Sequence, residues 1–414
     1  MSTINAKRLF NASCIALTVT AMTFAIRAGI LSQLGTDFGL TDKQLGYVNQ
    51  MAFLGFPIAT IVGGLLYNSL GPRKLLWIAF GCHIIGLVMT IFAGGFWSLL
   101  ISTFFIGFAN GSVEAGCNPM IADMYHKNQT TMLNKFHVWF PGGIVIGSLV
   151  SKFMTDLTMG WELQIAVMII PALIYAYLIF GQEFPKTQNL ASNTMSNLKH
   201  MATPLYIFII VCMTLTATTE LGTQQWVERI LGQAGASPML VLALITGLMA
   251  VGRYFAGPVI HRLNPVGVLW ASSAVAFVGI YAMSVATGGM IYLAAILFAI
   301  GVMYFWPTMI GITSEYNPGT GALGMSVMGG AGMFATSLWQ PVIGGWLDDE
   351  RANALAQGLS AEAADLAAGQ ATLDNISIFP MILVVLFGIL FFFRKQLQQI
   401  GYNMFGQPEG VPTN

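Results

Sequence analysis

Glu114 is a carboxylate inside a long apolar run, and two amides, Asn110 and Asn118, stand four residues to either side of it. On a helix that spacing puts all three on one face. A carboxylate at membrane depth is costly unless it is paired, protonated or wetted. The three side chains are therefore expected to line a polar cavity; the competing reading is a buried polar knot that glues two helices together. Thr216, Glu220 and Gln224 repeat the four-residue spacing further along the chain. Asn134, His137 and Trp139, Gln225 and Trp226, Trp306, and Trp339 with Gln340 are further candidates for the same cavity. Acceptors and donors set among aromatic surfaces suit a solute that offers many hydroxyls and an apolar ring face. Trp226 and Trp339 stand near segment ends, where tryptophan also serves as an interfacial anchor. His137 could relay a proton or be a hydrogen-bonded packing residue.

The elements that must position these groups are membrane helices. The chain has 414 residues, 56% of them hydrophobic and 8% charged, against roughly 25% charged in soluble domains. Its mean hydropathy is +0.71. These values exclude a soluble enzyme with one anchor and define a polytopic protein of the lipid bilayer. There is no basic stripe of the kind that binds nucleic acid. Cys14, Cys82, Cys117 and Cys212 all lie in apolar segments with no pairing motif, so neither a disulfide framework nor a metal site is expected. Lys7 and Arg8 precede an apolar run that is too long for a signal peptide and lacks a clear cleavage site, which makes it a first spanning helix.

A span needs roughly 20 apolar residues, and twelve segments qualify: 10–34, 45–68, 74–95, 97–121, 133–154, 162–181, 204–227, 238–260, 266–286, 289–312, 322–346 and 376–394. The expected fold is all-α, with two six-helix bundles, 1–181 and 204–414, joined by a polar central loop at 182–203. With the N-terminus placed in the cytoplasm, 11 Lys and Arg residues fall on the cytoplasmic side and 4 on the other, with Arg27 and Arg253 inside helices. The positive-inside rule then puts both termini in the cytoplasm of a plasma (inner) membrane protein. The acidic loop from Asp348 to Asn375 is expected to be a solvated spacer with a short surface helix. The sequon at Asn128 falls on the cytoplasmic side and is taken as chance.

The turn after the second segment reads Gly64-Leu65-Leu66-Tyr67-Asn68-Ser69-Leu70-Gly71-Pro72-Arg73-Lys74, and a degraded copy, Gly257 to Pro265, follows the eighth. With twelve segments and a central loop, this resembles the major facilitator superfamily. Asn68 and Ser69 depart from that pattern, which normally has an Asp and a basic residue there. Glu114-Ala115-Gly116-Cys117-Asn118-Pro119, Glu220-Leu221-Gly222, Gly252-Arg253 and Trp306-Pro307-Thr308 resemble the fucose:proton symporter branch. The resemblance implies a cation-coupled sugar importer working by alternating access. It needs no cofactor beyond its coupling proton or sodium ion, which Glu220 or Glu114 would carry. A small-molecule substrate and a monomeric transporter are expected. The first segment departs from the branch: Thr20 to Ile30 contains no carboxylate, and Arg27 stands there instead.

Arg27 has three readings. It could pair with Glu114 and keep that carboxylate charged. It could bind an anionic substrate through its planar fork. It could be a structural charge at the outer mouth. The substrate is accordingly a neutral sugar or, alternatively, a small organic anion such as a sugar acid. A non-transporting sugar sensor is a weaker reading, since little chain is left for an output module. No His-Glu-x-x-His or Walker-type sequence supports an enzyme or an ATP-driven pump.

Overall fold

The structure is a computed structural model, and it describes residues 4–125, 129–185 and 194–405. Twelve helices carry the fold. The first six are α1 (Ala6–Phe38), α2 (Asp42–Tyr67), α3 (Ser69–Ile91), α4 (Phe96–Met124), α5 (Lys135–Asp156) and α6 (Trp161–Ile179). The second six are α7 (Pro204–Gln225), α8 (Pro238–Tyr254), α9 (Arg262–Val285), α10 (Met290–Thr313), α11 (Gly321–Ala356) and α12 (Ala361–Phe405). Among the described residues, ten helices are long and apolar enough to cross a membrane, and α8 is a shorter apolar helix. Residues 126–128, which include the sequon Asn128, and residues 186–193 of the central loop lie outside the described residues. The helices run well past the apolar segments that announce them. The acidic loop is not a spacer: Asp348 to Ala356 extends α11, and Ala361 onward begins α12.

Local chemistry sets the helix ends. The side chain of Asn5 accepts the backbone N–H of Arg8, and Gly39, at φ 60°, closes the far end of α1. Thr41 and Gln44 form a reciprocal capping box at the start of α2, satisfying donors that the first turn leaves open. Pro204 and Pro238 open α7 and α8, where a missing N–H costs nothing. The α2–α3 turn bends at Gly71, with φ 72° and ψ 163°. Its counterpart in the second half is Asn264, with φ 55° and ψ 162°. Each precedes a proline that cannot donate to the helix. Two turns of near-identical conformation at equivalent places reveal the duplication underneath diverged sequence.

The halves meet along α2 with α11, α5 with α8, and α1 with the end of α7. Large apolar side chains such as Leu65, Phe153, Tyr177, Val385 and Phe392 are exposed around the outside, as lipid contact requires. Within the first half, Gly107 and Gly111 let α4 lie directly on the backbone of α2 at Ala52 and Phe56. That close approach fixes the face on which Glu114 stands.

Candidate functional site

Glu114 and Asn118 meet as their spacing requires. Asn118 Nδ2 donates to Glu114 Oε2 at 2.6 Å. The amide oxygen of Asn118 is thereby turned to His137, whose Nε2 lies 3.1 Å away and must carry the proton to donate. Glu114 and Asn118 are half-buried and His137 is exposed. The three form a carboxylate–amide–imidazole chain from α4 to α5. The side chain of Asn134 lies outside the described residues.

Asn110 does not join them. It is fully buried, it accepts from His83 Nε2 at 2.9 Å, and it donates to Thr23 Oγ1 at 2.9 Å. His83 Nδ1 in turn meets the Tyr175 hydroxyl at 3.0 Å. This is the polar knot, tying α1, α3, α4 and α6 together. The face with the four-residue spacing is therefore divided: its buried end packs, and its far end is half-buried.

Arg27 does not pair with Glu114. Thr23 and Asn110 mark a common level on antiparallel helices. Arg27 lies one turn beyond it in one direction and Glu114 one turn beyond it in the other, a separation of about 12 Å along the axis. Arg27 instead donates from Nε to Asn49 Oδ1 at 3.0 Å and from Nη2 to Gln225 Oε1 at 2.9 Å. Its guanidinium lies over the rings of Phe24 and Phe53, 5.1 and 5.9 Å from their centroids. Only 5% of the residue is exposed, and no carboxylate reaches it among the described residues.

In the second half, Glu220 stands in a π-helical turn, Thr218–Gly222, of α7. Such turns often mark functional sites. Its Oε1 accepts from Arg253 Nη2 of α8 at 3.1 Å, and Arg253 Nε is held by the carbonyl of Met303 at 2.8 Å. Among the described residues, Glu220 Oε2 has no hydrogen-bond partner. Gln224 Nε2 donates to the Met249 sulfur at 3.4 Å. Neither side-chain end of the fully buried Gln340 has a hydrogen-bond partner among the described residues. Trp306, half-buried, packs against the cluster of Phe24, Phe53, Phe56, Leu221 and Met333. Thr216 is turned back on the carbonyl of Met213. Trp226 is buried against Gly344, Trp339 packs on Phe379 and Trp346, and Trp139 is exposed.

Beyond Arg27 the halves are clasped. Arg229 holds Asp42 through both oxygens, at 2.6 and 2.8 Å, and Arg351 adds a third contact at 2.8 Å while also binding Asp365. Asp348 accepts the backbone N–H groups of Asp42 and Lys43 at 3.0 and 2.8 Å, capping α2 from the opposite half. Glu228 accepts from the N–H and hydroxyl of Ser32. Burial raises the Glu228 carboxyl above its ordinary value, against the pull of Ser32 and Arg229. Burial lowers the Arg229 guanidinium, but Asp42 more than reverses this and carries it upward. These contacts between the halves cluster at the Asp42 end, with the Arg27–Gln225 hydrogen bond next to them.

Asn49, Asp42 and the His83–Tyr175 pair were not singled out by sequence reasoning. Asn49 and His83 are polar residues inside apolar segments, and that signal was available. Asp42 was not distinguishable from any other acidic residue in the first turn of a helix.

Twelve helices in two related sets of six, clasped at one end around a polar interior, define a two-bundle membrane fold. The chain matches the family model of the Major Facilitator Superfamily over residues 13–340, and it belongs to that superfamily. It is 22% identical over 174 residues to Myo-inositol transporter 1 of Candida albicans, covering 40% of this chain and 31% of that protein. It is 26% identical over 152 residues to the Hexuronate transporter of Bacillus subtilis, covering 35% and 34%. The chain thus spans about a third of the length of the curated relatives it matches. Its fold superposes on a bacterial homolog of the human lysosomal transporter Spinster, in an inward-facing and occupied conformation, with a TM-score of 0.78 and 13% identity over 99% of this chain and 100% of that one.

Proposed function

We propose that this protein imports a small polyhydroxylated solute of the sugar class by alternating access, driven by a proton or sodium ion. The observation that carries the reading is the Glu114–Asn118–His137 chain, which offers donors and acceptors on the side away from the Asp42 clasp. A clasp at one end with a hydrated polar group toward the other is what one half of an alternating-access cycle requires. With the basic residues Arg73, Lys74, Arg262, Arg394 and Lys395 toward the cytoplasm, this is the inward-open half, and both termini are cytoplasmic.

The curated relatives include a transporter named for myo-inositol and one named for hexuronate, which supports the sugar class and leaves the charge of the substrate open. Glu220, buried against Arg253 with one oxygen free, is the group we assign to the coupling cation. The short matches to the fucose:proton symporter branch at Glu114–Pro119, Glu220–Gly222, Gly252-Arg253 and Trp306–Thr308 favour a proton over sodium.

The test is uptake of a hexose and of its matching uronic acid into proteoliposomes under an imposed proton or sodium gradient. Glu114→Gln and Asn118→Ala should each lower uptake by at least about tenfold, the order expected when a hydrogen bond to a charged group is lost, with normal yield of folded protein. Unchanged uptake in both variants would remove the α4 site from the mechanism.

A further inference from the structure

The partners of Arg27 leave an unusual remainder. An arginine has five N–H donors, and the two contacts to Asn49 and Gln225 occupy one each on Nε and Nη2. Both amides present their oxygens to the guanidinium, so each turns its NH2 group elsewhere. Asn49 Nδ2 and Gln225 Nε2 are buried and have no hydrogen-bond partner among the described residues. Both residues are at least nine-tenths buried. Gln340 lies on the stretch of α11 whose backbone meets Gly46, one turn from Asn49, and its amide nitrogen is also unpartnered. Among the described residues, what remains unfilled around Arg27 is thus a full positive charge beside the amide N–H groups of Asn49 and Gln225.

A clasp that served only to join the halves would not need this. Buried amides in a packed seam normally satisfy both ends, as Asn110 does between His83 and Thr23. A buried cation with no counter-ion and a surplus of donors is complementary to a carboxylate, which offers two oxygens and about four acceptor sites in the geometry that a guanidinium fork matches. We infer that Arg27, Asn49 and Gln225 form the recognition site for the carboxylate of the transported solute, which is therefore a sugar acid and not a neutral sugar. This inference rests on the sugar-class reading above and deepens it. Gln225 belongs to the second half and Arg27 to the first, so the bound carboxylate would take donors that now cross the seam. The head group would thereby act on the contact between the halves.

Glucose and glucuronate differ only at C6, as hydroxymethyl or carboxylate, and equilibrium binding of each to the purified full-length protein tests the assignment. Glucuronate should bind at least tenfold more tightly than glucose, and Arg27→Lys should weaken it several-fold. The sharper variant is Gln225→Glu, which is nearly isosteric and supplies Arg27 with a built-in carboxylate. It should keep the unliganded melting temperature at or above that of wild type and abolish glucuronate binding. If Gln225→Glu binds glucuronate as wild type does, or glucose binds as tightly as glucuronate, the carboxylate site is wrong and the sugar reading stands. If neither sugar binds, the sugar reading itself fails and takes this inference with it.

Discussion

Arg229 grips both carboxylate oxygens of Asp42 across the seam between the halves, with Nε 2.6 Å from Oδ1 and Nη2 2.8 Å from Oδ2. Asp42 is fully buried there and is held by Arg351 as well. Removing one partner of a buried ion pair costs about 3–5 kcal/mol, because the other charge is left uncompensated. Since this pair forms only when the Asp42 end is shut, the cost falls on the closed state. Asp42→Asn should therefore speed maleimide labelling of a cysteine placed at Ser32 by at least about tenfold, in a background free of the four native cysteines. An unchanged labelling rate would mean that the backbone contacts at this end hold it shut without the ion pair.

Glu228 gives the same end a dependence on pH. Its carboxyl is raised from 4.5 mainly by burial, although Ser32 and Arg229 oppose the shift, with Asp42 adding to it. Opening would rehydrate the group and return it toward its ordinary value. The closed state thus binds the proton more tightly than the open one. Its gain is complete below the ordinary value and is lost as pH rises through the raised one. Labelling at the Asp42 end, divided by the rate of a free thiol at the same pH, should accelerate across that window in wild type. With Glu228→Gln that ratio should stay low and flat over the same range.

Asn110 and Glu114 are one helical turn apart and should separate cleanly by experiment. Asn110→Ala leaves His83 Nε2 and Thr23 Oγ1 without their partner, and each buried orphan costs about 1–3 kcal/mol. The melting temperature should fall by several degrees while the KM for substrate stays near that of wild type. Glu114→Gln should do the reverse, with a small change in melting temperature and a large loss of uptake. Equal KM effects in the two variants would place Asn110 in the site after all.

That contrast marks how far the sequence could be read. The twelve segments, the turn at Gly71-Pro72 and its faded copy before Pro265 were legible because hydropathy, glycine and proline act locally. The Asn118–Glu114 bond was legible because i and i+4 side chains meet on any helix. Which members of a face are wetted was not, since burial depends on the helix lying opposite. Asn110 meets His83 and Thr23 from two other helices. Arg27 illustrates the same limit: its depth in α1 could be counted, but its partners Asn49 and Gln225 lie 22 and 198 residues away. The charges of the clasp were visible as loop residues only, because Asp42, Arg229 and Arg351 become one group through tertiary closure.

Glu220 and Arg253 predict a split between coupling and carriage. Glu220 is the buried acid in the second half whose free oxygen could take a proton, and Arg253 is fixed by the Met303 carbonyl. Glu220→Gln keeps the shape and removes the titration. Gradient-driven accumulation should fall to the equilibrium level, while exchange of labelled for unlabelled substrate across the membrane should continue at a comparable rate. Loss of both activities would make Glu220 a substrate ligand and not a coupling group.

Gly344 and Gly46 carry the last expectation, which concerns closure of the Asp42 end without touching a charge. A Cβ at Gly344 would collide with the backbone oxygen of Asp42, and one at Gly46 would stand 2.5 Å from the carbonyl oxygen of Gln340. Both obstacles are backbone atoms, so no side chain can rotate away to make room. The two helices can accept a methyl group only by separating, which is the motion that opens this end. Gly344→Ala should therefore populate the open state, with the Trp226 ring, 2.9 Å from the added methyl, shifting within its own half. Labelling at Ser32→Cys, divided by the rate of a free thiol at the same pH, should be fast at every pH, even with Asp42 and Arg229 intact. If Gly344→Ala labels as slowly as the parent, α2 and α11 do not need backbone contact to close, and the ion pairs alone set the equilibrium.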